Sequence, residues 1–78
     1  MGGDAAVPTL FTFEGFRIRL YFGDHGFPHV HLIGADCDAS IAIKTGEVIV
    51  GNAPAAAMET ARSWIVVNRE MLLSMWRK

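Results

Sequence analysis

Cysteine occurs once in the chain, at Cys37, so no disulfide can close within it and a reducing compartment suits it. A lone thiol also excludes the paired-cysteine zinc and redox motifs, and no activating partner for Cys37 is visible nearby. Charge is sparse. Asp, Glu, Lys and Arg make up 19% of the residues, below the usual ~25%, which excludes a disordered acidic or basic tail as the whole of the protein. The net charge of −1 gives no general nucleic-acid signature. No run approaches the ~18 apolar residues that a membrane helix needs. The start of the chain lacks the basic and apolar stretches of a secretory signal, so a cytoplasmic protein without membrane contact is expected. A phosphate loop, a dinucleotide fingerprint and a Gly-x-Ser-x-Gly elbow are all missing.

What the chain does have is apolar mass. Of 78 residues, 51% are hydrophobic and the mean hydropathy is +0.28. That supports one small core and leaves apolar surface for a partner or a dimer. Residues 1–6 are expected to be a disordered tail and 7–78 a single domain. Charge is uneven along the sequence. Residues 1–50 hold three basic and six acidic side chains, a net of −3, and residues 51–78 hold four basic and two acidic, a net of +2.

Residues 10–13 read as a short strand and Glu14-Gly15 as a tight turn. Over 16–22, Phe16, Ile18, Leu20 and Phe22 alternate with Arg17, Arg19 and Tyr21, the period of a half-buried strand. A loop follows to Pro28, then a strand over 29–33. Segments 39–43 and 48–50 flank the turn Lys44-Thr45-Gly46-Glu47. From there the pattern turns helical. Asn52 is placed as an N-cap and Pro54 in the first turn. Ala57, Ala61, Trp64, Ile65, Met71, Leu72 and Met75 recur as an apolar stripe. Asn68-Arg69-Glu70 interrupts it, so residues 53–78 are one helix or two, with Asn68 capping the second. Strands first and helix last predict an α+β domain. It is a small antiparallel sheet of three to four strands, followed by a C-terminal helix or helix pair packed on one face.

All three histidines fall within seven residues: His25, His29 and His31, with Asp24 adjacent. Parity puts His29 and His31 on one strand face, and the loop allows His25 or Asp24 to fold back towards them. Asp24, His25, His29 and His31 could hold a divalent metal such as zinc, or the imidazoles could act without any cofactor as acid and base near neutral pH. A purely structural role for the histidines competes with both. Arg17 and Arg19 are the second group. They suit a phosphodiester beside the imidazoles, although alternation alone also explains them as a solvated outer face.

Taken together, the stretches Pro8-Thr9, Arg17-Ile18-Arg19-Leu20-Tyr21-Phe22, Asp24-His25-x-x-Pro28-His29-x-His31, Ile43-x-Thr45-Gly46-Glu47-Val48 and Gly51-Asn52, with Leu72, Leu73 and Trp76 in the final helix, resemble the bacterial family called domain of unknown function 4160. The sequence departs from that pattern at Val30, where the family usually has an aromatic, and at Asn68, where a histidine is usual. The resemblance implies a small two-gene unit of toxin–antitoxin type, hence a protein partner and a ribonuclease-like or inhibitory role. The expected function is therefore a component that binds or cleaves RNA through His25, His29, His31, Arg17 and Arg19. The alternative is a non-catalytic metal-binding or protein-interaction module using the same histidines. A homodimer or a small protein partner is expected to dock on the C-terminal helix, through the wide apolar arc of Leu72, Leu73 and Trp76.

Overall fold

The computed structural model describes residues 9–20 and 26–76. Five strands run in chain order: β1 (Thr9–Phe13), β2 (Phe16–Arg19), β3 (His29–Ile33), β4 (Asp38–Ala42) and β5 (Val48–Asn52). Two helices follow, α1 (Ala55–Val67) and α2 (Arg69–Trp76). Every strand pairs antiparallel with its neighbour in sequence, in the order β1-β2-β3-β4-β5. This is the α+β arrangement expected, with five strands rather than three to four. Both short outer segments pair, each with one register shift: Phe13 pairs with Phe16 at one edge, and Asp38 with Asn52 at the other.

The β1–β2 hairpin turns on Glu14 and Gly15, with φ of 46° and 85°. Positive φ at both central residues matches the right-handed twist of the flanking strands. Parity then sorts the side chains. Ile18, Leu20, Val30, Leu32, Ala39, Ile41 and Ile43 share the core, all at 0–1% exposure. Ala57, Met58, Ala61 and Ile65 of α1 and Leu72 of α2 close over them. Burial of each large aliphatic contributes about 1.5–3 kcal/mol before entropy is subtracted. Trp64 of α1 stacks on Phe11 with ring centres 5.3 Å apart. Of the apolar face expected for residues 16–22, Ile18 and Leu20 are fully buried and Phe16 half-buried, while Phe22 lies outside the described residues. The expected tail over 1–6 also lies outside them.

Two capping expectations are corrected. Asn52 is the last residue of β5, paired with Asp38, so it cannot cap α1. Pro54 occupies the N-cap position, and its carbonyl accepts the Met58 amide at 2.9 Å. Asn68 does separate two helices, but its side chain turns back: Nδ2 donates to the Trp64 carbonyl at 2.9 Å. It closes α1, and only its own carbonyl, bonded by the Leu72 amide, starts α2.

Two arginines fasten the helices to the β4–β5 turn. Arg62 Nε donates to the Gly46 carbonyl and Arg69 Nε to the Ile43 carbonyl, each at 2.8 Å. The C-terminal apolar run mostly faces inward. Leu72 is fully buried, and Leu73, Met75 and Trp76 pack against the core. The apolar side chains that remain exposed on the helices are Val66, Val67 and Met71. Among the described residues, no helix is long and apolar enough to cross a membrane.

Candidate functional site

Register builds the site. Arg19 of β2 lies opposite His31 of β3, which lies opposite Ser40 of β4. Since Ile18, Val30, Leu32, Ala39 and Ile41 face the helices, this transverse row occupies the other face of the sheet. His29 sits two residues along β3 on the same side, opposite Ala42. The two imidazoles meet edge to face, with ring centres 5.1 Å apart. Trp76 brings its indole 5.2 Å from the His29 ring, so the end of α2 reaches the start of β3.

Hydrogen bonding orients the imidazoles. Nδ1 of His29 lies 2.6 Å from the Phe27 carbonyl. A carbonyl only accepts, so Nδ1 carries the hydrogen, and in the neutral ring Nε2 holds the lone pair. Nδ1 of His31 is 3.9 Å from the Asp38 carboxylate, within reach of an ion pair when the ring is protonated. Nε2 of His31 and Nε of Arg19 are both shut off from solvent, and Ser40 is 8% exposed. The row Arg19–His31–Ser40 is therefore partly buried although it lies on the face away from the helices.

Of the residues singled out from sequence, His29, His31 and Arg19 come together. Arg17 lies two residues farther along β2, opposite Ile33, and is exposed, as a solvated face would have it. Asp24 and His25 lie outside the described residues. Among the described residues, no group of three His, Cys, Asp or Glu side chains is placed to hold a metal ion. Sequence reasoning missed Ser40 and Asp38. The alternation of Asp38, Ser40 and Ala42 with Ala39, Ile41 and Ile43 contains that signal. Trp76 carried no such signal, because its position depends on how α2 leaves Asn68.

A groove of about 480 Å³ opens at the same end of the sheet. Phe27, Pro28, Ala42, Val48 and Ile49 form its apolar wall, and Lys44, Thr45 and Glu47 of the β4–β5 turn complete it. Ala42 is the register partner of His29, so the groove lies one strand over from His29, although neither imidazole lines it.

A family model described as "Domain of unknown function (DUF4160)" matches residues 15–77. The chain belongs to this family. No curated protein and no solved structure matches it. The DUF4160 match runs from the β1–β2 turn through α2, so it includes the histidine strand, the groove and both helices. Val30 and Asn68 both sit away from the His29–His31 face. Val30 points into the core, and Asn68 is spent on closing α1.

Proposed function

We propose that this chain is a small cytoplasmic component of toxin–antitoxin type that binds and cleaves single-stranded RNA at the His29–His31 pair. The observation that supports it is the pair itself: two imidazoles 5.1 Å apart with Arg19 in register beside His31. Nε2 of His29 takes the proton of the ribose 2′-hydroxyl. The 2′-oxygen attacks phosphorus, the bond from phosphorus to the 5′-oxygen breaks, and protonated His31 supplies the proton to that leaving oxygen from Nδ1, its Nε2 being shut off from solvent. The products are a 2′,3′-cyclic phosphate and a 5′-hydroxyl. Arg19, with Arg17 farther out, offsets the charge that builds on the phosphoryl oxygens. A protein partner would find Val66, Val67 and Met71 on the helices.

The test is incubation with a single-stranded RNA in the presence of a chelator. Cleavage should leave cyclic phosphate ends and spare DNA of the same sequence. His29→Ala and His31→Ala should each slow it by about 10²–10⁴-fold. A folded wild-type protein that neither binds nor cuts RNA refutes the proposal.

One observation favours a second reading, a non-catalytic metal-binding module. Metal-ligating histidines commonly donate their other ring N–H to a carbonyl, as His29 does to Phe27. Here Asp24, His25, His29 and His31 would hold a divalent ion such as zinc. Near-stoichiometric zinc in the purified protein, lost on His31→Ala, would establish that reading over the first.

A further inference from the structure

We propose that the groove beside His29 is a nucleobase subsite, holding the base next to the phosphate that the histidines handle; this rests on the RNA reading above.

Three observations converge on it. The first is Phe27, which is 73% exposed. The other described phenylalanines behave otherwise: Phe11, Phe13 and Phe16 are half-buried and lie ring against ring. An isolated aromatic ring standing in water at the mouth of a groove is the kind of surface on which bases stack, whatever their identity.

The second is that the platform is fixed. The Phe27 carbonyl is bonded to His29 Nδ1, and the next carbonyl, of Pro28, accepts the Ile43 amide at 3.0 Å. Two successive carbonyls are thus tied, one to a β3 side chain and the other to the amide of the residue that follows β4. Little backbone freedom would be lost when a ligand settles on the ring.

The third is position and chemistry. The volume of about 480 Å³ lies in the range of small-ligand sites, ~300–1,000 Å³. Its apolar wall suits a flat ring and not an anion. The polar groups lie on the turn, where the Lys44 ammonium can meet a flanking phosphate. Ala42 places the groove one strand spacing, ~4.8 Å, from the His29 position. A base in the groove would thus sit one strand away from the imidazoles, a distance that its ribose and phosphate can span.

The probe is a short single-stranded RNA carrying 2′-O-methyl groups, which block cleavage, with binding followed by fluorescence anisotropy. Phe27→Ala should weaken binding by about 5- to 150-fold, the loss expected for one stacked base. Phe27→Trp should restore it. An abasic oligomer of the same length should bind the wild type weakly, and Phe27→Ala should change that no further. The side chain lies mostly in solvent, so both variants should melt with the wild type. Intact RNA bound equally by wild type and Phe27→Ala overturns the subsite while leaving the phosphodiester reading standing. Equal losses for intact and abasic oligomers also overturn it. No binding of RNA by the wild type overturns both.

Discussion

Gly51→Ala should separate β5 from β4, and a companion substitution isolates the reason. Gly51 has φ +83°, and a Cβ added there would sit 2.0 Å from the Asp38 carbonyl oxygen and 3.0 Å from the Ala39 Cα. Carbon–oxygen contacts ordinarily begin near ~3.3 Å, so the strands must move apart by an ångström or more. Gly15 has nearly the same backbone, φ +85°, but nothing lies within 4 Å of its added Cβ. Gly15→Ala should therefore cost only the conformational penalty, ~1–2 kcal/mol. Gly51→Ala adds the disturbance of the Gly51–Ala39 and Asp38–Asn52 pairs. Two ladder bonds at ~0.5–1.5 kcal/mol each bring the total to ~2–5 kcal/mol. A domain of this length has ~4–12 kcal/mol to lose. The gap between the variants, about 2 kcal/mol, corresponds to ~8–16 °C in midpoint. Thermal melts followed by circular dichroism measure it directly. Equal midpoints for the two variants would refute the β4–β5 register, and with it the groove wall that Val48 and Ile49 provide.

Leu20→Ala should cost ~2–5 kcal/mol in urea unfolding, because Leu20 is fully buried; a loss below about half a kcal/mol would mean the other face is the core. Arg69→Leu removes a charged donor from the Ile43 carbonyl and should cost ~1.5–3 kcal/mol, with amide exchange at Ile43 and Gly46 rising first. Sedimentation should show a homodimer, with Val67→Asp returning it to the 8.5 kDa monomer; a wild-type monomer at micromolar concentration rules out self-association through the helices.

Alternation made the two faces of the sheet legible before any coordinates. Ile18 and Leu20 against Arg17 and Arg19, and Val30 and Leu32 against His29 and His31, follow from a period of two alone. Which residue stands beside which does not. The pairing of Arg19 with His31, rather than Arg17, depends on how the chain between β2 and β3 returns, and no periodicity encodes that. Ser40 shared the parity of the site, but a serine between alanine and isoleucine looks like filler until its strand is set next to His31. At the C-terminus, the break at Asn68 was visible while its effect was not. By redirecting the chain it sends Leu72 into the core and Trp76 to His29, while Leu73 and Trp76 stay only partly buried. The caps failed for a related reason. Asn52 has a favourable side chain for starting a helix, but the ladder with Asp38 claims it first.

The order of elements has a consequence for how the protein comes into being. A ribosome delivers all five strands before either helix, and the arginines that pin the β4–β5 turn arrive 16 and 26 residues after their carbonyls. Until α1 and α2 emerge, Ile18, Leu20, Val30, Leu32, Ile41 and Ile43 form a bare apolar sheet. Such a nascent state is prone to aggregation and exposed to proteases.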